Sequence, residues 1–311
     1  MKIVFFGSSE FAVSSLESLY REGFSIVSVV TQPDKKSGRN LKVQPTPVKR
    51  ASKIINLPVY EARAKDAKDF MSFLSSLDAD FFVVVAYGNI LKKELLAMPR
   101  YCCLNVHASL LPKYRGAAPV NWSIINGDRE SGATIIRMNE SVDCGDIVLQ
   151  EKVAVSERDT SITLESKLAN VGSALLVKSI GLIEKGRASY VAQDSAAASF
   201  APKLKKCDGK IDWRSDTKFI INRIRGLKPW PGTYTFLDKQ ILKIIEAEEY
   251  EGDYGGYLPG QIIVSDEKTG LAVRTRDGSL LIRDLQMEGK RKMDSKLFIR
   301  GHKIQVGKKI G

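Results

Sequence analysis

Through the first half of the chain, short unbroken apolar runs alternate with segments whose apolar residues recur every three or four positions. KIVFFG is followed by EFAVSSLESLYREG, with Ala12, Leu16, Leu19 and Tyr20 on one helical face, and then by FSIVSVVT. This is the rhythm of a β-α-β unit. Runs such as FFVVVA, residues 81–86, are apolar without alternation, as strands covered on both faces are. The pattern predicts an α/β domain built on a Rossmann-like open, mostly parallel sheet with helices on each side. Ligands of such sheets bind beyond the carboxyl ends of the strands. The first turn, GSSEF, lacks the GxGxxG spacing of a dinucleotide cradle, so nothing at that turn points to a nicotinamide or flavin cofactor.

From Ser161 to about Lys185, apolar residues at 164, 168, 175, 176, 180 and 183 follow helical spacing, and Gly186 supplies a C-cap. The stretch SYVAQDSAAASFAPKLKKCDG that follows has no sustained periodicity and reads as an interdomain connection. The boundary falls near Lys205, which gives domains 1–204 and 205–311. Past a short helix before PWPG, strand candidates recur: TYTFL, QILKIIEA, QIIV, LAVRT and SLLIRDL, separated by turns such as DEKTG and RDG. They predict a smaller β-barrel of the oligonucleotide-binding kind.

Composition narrows the class. A chain of 311 residues, 43% hydrophobic, can bury two cores. The longest apolar run is far short of the ~20 residues of a membrane span, and the first residues read as a strand, not a secretory signal. Four cysteines (Cys102, Cys103, Cys144, Cys207) form no CxxC pair, and two histidines cannot complete a tetrahedral zinc set, so reduced thiols, a cytoplasmic setting and no metal are expected. The net charge of +12 is uneven. Residues 1–200 carry 25 basic against 21 acidic residues, whereas residues 201–311 carry 23 against 15. Such a field suits a polyanionic partner or a solvated surface, and composition alone leaves both open.

The candidate chemistry sits in NVHASLLPKYRGAAP, residues 105–119. Asn105 and His107 are two apart, so on a strand both side chains project to one face and can act on one ligand. Downstream, GATIIRMNESVDCGDIVLQ reads as strand, tight loop, strand, with Asp143 in the loop, where a carboxylate can orient an imidazole. Asn, His and Asp suit transfer of an acyl-type group to a nucleophile that arrives with the substrate. Ser109 is the rival nucleophile, but HASLL is not the GxSxG elbow of hydrolases.

NVHASLLPKYRGAAPVNWSIINGD together with MNESVDCGDIV resembles the signature of the folate-dependent formyltransferases. IVFFGSSEFAVSSLESL, TQPDKKSGRNLKVQPTPVK, FVVVAYGNIL, IRGLKPWPGTY, GKRKM and LFIRGHKIQVGKKI extend the likeness over essentially the whole chain and resemble the members that act on methionyl-tRNA. Two departures are local: GSSEF where the family usually shows a threonine and proline before the glutamate, and MNESVDCGD where MDxGLDTGD is usual. The resemblance implies an enzyme that moves the formyl group of 10-formyltetrahydrofolate to the free α-amino group of methionyl initiator tRNA for translation initiation. The alternative is a small amine acceptor, glycinamide ribonucleotide or an amino sugar nucleotide; a noncatalytic RNA-binding descendant is a third reading, opposed by the intact Asn105, His107 and Asp143. Those three are implied as catalytic, with Asp143 holding His107 in its donating tautomer. Folate is expected against Ala86, Tyr87, Gly88, Ile90 and Leu91, whose apolar side chains would cover its ring, and against Ser109, Leu110, Leu111 and Pro112. Without the resemblance, both segments read as ordinary strand exits.

The basic stretch TQPDKKSGRNLKVQPTPVKRASK has seven basic residues against Asp34, and its three prolines lead to the expectation of an exposed arm without helix or strand. Lys35, Lys36, Arg39 and Lys42 in it, and Lys203, Lys205 and Lys206 near the boundary, are the expected tRNA contacts, with the solvated face as the alternative. His302, among basic residues at the chain end, is given no chemistry. The expected protein is a monomer.

Overall fold

The computed structural model describes residues 1–37, 42–62, 67–252 and 255–311. Two units emerge: Met1–Pro119, Glu130–Ala154 and Glu165–Ala201 form the first, and Val120–Arg129, Val155–Leu164 and Pro202–Gly311 the second.

The elements up to the middle of the chain are β1 (Lys2–Gly7), α1 (Glu10–Arg21), β2 (Ser25–Thr31), β3 (Lys35–Ser37), β4 (Lys42–Gln44), α2 (Pro47–Ile54), β5 (Val59–Glu61), α3 (Ala67–Ser76), β6 (Phe81–Val85), α4 (Lys93–Leu96) and β7 (Cys102–His107). Then come β8 (Arg115–Gly116), α5 (Pro119–Ile125), β9 (Glu130–Arg137), β10 (Asp146–Ala154), α6 (Ser161–Glu184) and β11 (Phe200–Ala201). The main sheet runs β10-β9-β7-β6-β1-β2-β5. From β7 to β5 all neighbours are parallel, and β9 and β10 add an antiparallel edge. This is the Rossmann-like architecture expected from the unbroken apolar runs, and every residue of β6 is buried. After β1 the chain moves to β2 and β5 on one side, then returns to place β6 and β7 on the other. The order therefore reverses between β1 and β6, and the crevice beyond their carboxyl ends is where such a sheet receives ligands.

On α1, Ala12, Leu16 and Leu19 are fully buried, but Tyr20, expected on the same face, is 49% exposed. In α6 the six periodic leucines and isoleucines are all buried. Gly172 lets this helix lie close on the sheet, for a Cβ there would come within 2.6 Å of Val106. Its length and mean hydropathy of 1.2 would also suit a membrane span, yet half of that stretch is buried within the structure, as in a core helix.

The basic stretch departs from expectation. β3 and β4 pair as a short antiparallel ladder, and α2 starts at Pro47. Proline is tolerated at the first helical position because its missing N–H would have no intrahelical partner there, and Thr46 caps the turn by accepting from the Lys49 amide at 3.1 Å. Lys49 is not on an arm at all. It is buried and donates to Asp34, at 2.8 and 2.9 Å, and to Glu61. The hydrogen bonds to Asp34 and then Glu61 push its pKa up from the ordinary lysine value. Arg39 lies outside the described residues.

The second unit contains α7 (Thr217–Gly226), β12 (Thr233–Leu237), β13 (Gln240–Glu249), β14 (Ile262–Asp266), β15 (Gly270–Arg274), β16 (Ser279–Met287), β17 (Met293–Asp294) and α8 (Ser295–Gly301). Its antiparallel sheet is ordered β12-β13-β16-β15-β14, with β17 on β16. Ile224 of α7, Leu242, Leu271, Ile282 and Phe298 of α8 share its core. The last five residues reach from one edge strand to the other: the Gly307 amide donates to Ile262 O at 2.7 Å, and the Gly311 amide to Phe236 O at 3.0 Å. The sheet is thereby closed like a barrel by the chain end.

Candidate active site

The crevice is built from three strand exits. Beyond β6, Ala86 has φ 43° and Gly88 φ 86°, so the backbone turns sharply outward. The Tyr87 carbonyl accepts from Ser8 Oγ at 3.2 Å and from Gln32 Nε2 at 3.0 Å, which ties the ends of β1, β2 and β6 together. A Cβ on Gly88 would lie 2.6 Å from Gln32 Nε2, so Gln32 would have to shift to admit a side chain, and the left-handed φ itself favours glycine. Tyr87 and Leu91 are buried in a core cluster with Val4, Phe6 and Val30, so their side chains serve the sheet core. Ala86, Gly88 and Ile90 are exposed. The expected ring cover by this segment's apolar side chains is therefore reduced to Ala86 and Ile90, because the sheet core needs the other two.

Beyond β7, the segment Ser109 to Pro112 is pinned from β9 and β10. Thr134 Oγ1 donates to Ser109 O at 2.6 Å and accepts from the Leu111 amide at 3.2 Å; Gln150 Nε2 donates to Leu111 O at 2.9 Å. Leu110 lies over Gly132, where a Cβ would collide with it. Ser109 is fully buried and its hydroxyl donates to Lys113 O at 2.6 Å, so the rival nucleophile is spent on a turn.

Asn105 and His107 share one face of β7, as their spacing requires. His107 is 5% exposed. Its Nε2 donates to Tyr114 O at 3.0 Å, and its Nδ1 lies 3.6 Å from Asp143 Oδ1. The tautomer is thus set by the Tyr114 carbonyl; Asp143 stands beside Nδ1 slightly beyond hydrogen-bonding reach. Asp143 itself sits at φ 55°, and its Oδ2 accepts from the Gly116 amide at 2.8 Å. Among the described residues the Asn105 side-chain amide has no protein hydrogen-bond partner, which leaves its donors and acceptor free for a ligand. The structure brings Asn105, His107 and Asp143 together.

Sequence reading missed the residues that hold this group. Tyr114, Arg115 and Gly116 precede α5, and Gln193 and Ser199 lie in the stretch read as a connection. Gln193 donates to the carbonyls of Asp143, at 2.8 Å, and Gly145, at 2.7 Å, and accepts from Arg115 Nε and Nη2 at 3.0 and 2.7 Å. β11 pairs with β8 in parallel. No periodicity marks two-residue strands, so the connection carried no signal of its return to the first unit.

Of the expected tRNA contacts, Lys35 and Lys42 are exposed in the first unit, and Lys35 donates to Gln32. Lys203, Lys205 and Lys206 are exposed in the second unit. The Lys36 side chain and Arg39 lie outside the described residues. Burial pushes the Cys102 thiol up to about 11 and Cys103 further, which leaves neither as a neutral-pH nucleophile.

A family model described as Formyl transferase matches residues 1–180, and one described as Formyl transferase, C-terminal domain, matches residues 203–303. The chain belongs to the formyl transferase family. Within it, the curated methionyl-tRNA formyltransferase of Caldanaerobacter subterraneus subsp. tengcongensis is 44% identical over 308 residues, which cover 99% of this chain and 99% of that one. The protein of the same name from Pelotomaculum thermopropionicum is 42% identical over 312 residues, 100% of this chain and 99% of its own. Among solved structures, the N-formyltransferase of Helicobacter canadensis in complex with folinic acid and dTDP-3-aminofucose aligns at TM-score 0.67 and 20% identity. The alignment covers 92% of this chain and 99% of that one, a likeness of fold between formyl transferases.

Proposed function

We propose that this formyl transferase moves the formyl group of 10-formyltetrahydrofolate to the free α-amino group of methionyl initiator tRNA. The observation that carries the reading is the unpartnered Asn105 amide beside the His107–Asp143 pair at the mouth of the sheet. The length-wide identity with proteins named for methionyl-tRNA supports that acceptor over a small amine. The amino-sugar-bound structure, at 20% identity, speaks for the fold alone.

The geometry supports the following chemistry. An α-amino group has a pKa near ~7.7–8.0 and is partly neutral at physiological pH, so it needs little activation. Its nitrogen attacks the formyl carbon, and the carbonyl electrons move to oxygen. The Asn105 amide donates to that oxyanion. With Nε2–H committed to Tyr114, Nδ1 of His107 takes the proton released by the new ammonium, and the Asp143 carboxylate balances the imidazolium. The intermediate then collapses, the carbon–N10 bond breaks, and the same proton passes to N10.

The folate is a co-substrate, and the open backbone at Ala86, Gly88 and Ile90 on one side and the pinned Ser109 to Pro112 segment on the other form the cradle for its ring. Lys35, Lys36, Arg39 and Lys42 attend the acceptor end, and Lys203, Lys205 and Lys206 of the second unit neutralise tRNA phosphates. The protein acts as a monomer in the cytoplasm, where translation proceeds. Supplying 10-formyltetrahydrofolate with charged initiator tRNA or with a nucleotide amino sugar tests the reading: formylmethionyl-tRNA is expected, and formylation of the sugar alone would overturn it.

A further inference from the structure

We propose that Gln193 is a positioning residue for Asp143, an inference that rests on the transfer reaction proposed above. Asp143 occupies a left-handed backbone conformation, φ 55°, uncommon for a non-glycine residue though better tolerated by aspartate than by most. Two sets of bonds hold it here. One reaches the side chain, where the Gly116 amide donates to Oδ2. The other reaches the backbone, where the two amide hydrogens of Gln193 engage the carbonyls of Asp143 and Gly145.

Gln193 is itself fixed at both ends. Its oxygen receives two N–H groups from Arg115, a side chain 7% exposed on the same two-residue strand as Gly116. Two residues earlier, Val191 and Ile147 exchange both backbone hydrogen bonds, at 2.8 and 2.9 Å, so the segment is registered on β10 before Gln193 is reached. Six residues later, Ser199 Oγ accepts from the Tyr114 amide at 2.9 Å, and Tyr114 carries the carbonyl that sets the His107 tautomer. A ring of bonds therefore runs from the Asp143 carboxylate through Gly116 and Arg115 to Gln193 and back to the Asp143 backbone. An amide is the side chain that closes it, since it alone presents two donors to carbonyls and an acceptor to a guanidinium. A glutamate would satisfy Arg115 but turn an oxygen toward the Asp143 and Gly145 carbonyls.

The test compares Gln193→Glu and Gln193→Ala in the full chain, each alone and combined with Asp143→Ala. In formyl transfer to charged initiator tRNA, each single variant should lose kcat by on the order of 10- to 10²-fold, with KM for the folate held within about two-fold. In the Asp143→Ala background the same changes should cost less than about two-fold more, because a positioning residue has nothing left to position. Independently of activity, hydrogen exchange across residues 139–147 should quicken in Gln193→Ala and stay unchanged in β12 to β16. Full kcat in Gln193→Ala, losses that multiply undiminished onto Asp143→Ala, or unchanged exchange at 139–147 would each overturn the proposal. Wild-type protein inactive on methionyl-tRNA would instead sink the reaction and leave the exchange result to judge Gln193.

Discussion

His107 is held from two sides by groups that do different work. The Tyr114 carbonyl accepts the hydrogen bond from Nε2–H, and Asp143 waits 3.6 Å from Nδ1, where charge develops if the ring accepts a proton. The pair Asn105 and His107 was legible from the strand period, and Asp143 from its tight loop. The groups that set tautomer and backbone shape were not, because backbone carbonyls and a glutamine leave no sequence signature. The cysteines give a check on burial at this scale. Cys102 and Cys103 share β7 with Asn105 and His107, and burial raises both thiols, Cys102 to about 11. At pH 8 the Cys102 thiolate is three units below its midpoint and about a thousandth populated, whereas a free thiol near ~8.5 is about a quarter ionised. Iodoacetamide should therefore modify exposed Cys207 first and part-exposed Cys144 more slowly, and reach Cys102 and Cys103 only on unfolding. Peptide mapping after a timed exposure checks this, and early label on Cys102 would contradict the packing of β7.

Among the elements, the exit of β6 is constrained by its backbone. Gly88 combines φ 86° with a Gln32 nitrogen 2.6 Å from any added Cβ. Gly88→Asp should therefore displace the turn and weaken binding of a nonreactive folate analogue by roughly ten-fold or more, with tRNA affinity nearly unchanged. Calorimetric titration of both ligands decides it, and undiminished folate affinity would remove this segment from the cradle. Legibility differed element by element for physical reasons. β1, α1, β6 and α6 were readable because unbroken runs mark strands covered on both faces and helical spacing marks a buried helix face. The basic stretch misled because charge was taken as exposure and proline as a breaker, when Pro47 sits at a helix start and Lys49 is paired inside with Asp34 and Glu61. The stretch after α6 misled because its order comes from β8, β10 and a loop far away in sequence.

On the scale of the whole molecule, charge sets the expectation for the second unit. If Lys203, Lys205 and Lys206 neutralise tRNA phosphates, log affinity falls linearly with log salt, and replacing all three by alanine should reduce that slope by roughly three. An unchanged slope would remove these three lysines from the tRNA interface. Formyl transfer to methionyl initiator tRNA by the group at the sheet's mouth is open to a single decisive assay. One measurement reaches it most directly: single-turnover transfer of labelled formyl from 10-formyltetrahydrofolate, with wild-type protein and with a folded His107→Ala variant. Label is expected on the methionine of the wild-type product, with a rate at least ~10²-fold lower in the variant. Equal rates in the two proteins, or wild-type label found only on a small amine, would contradict it.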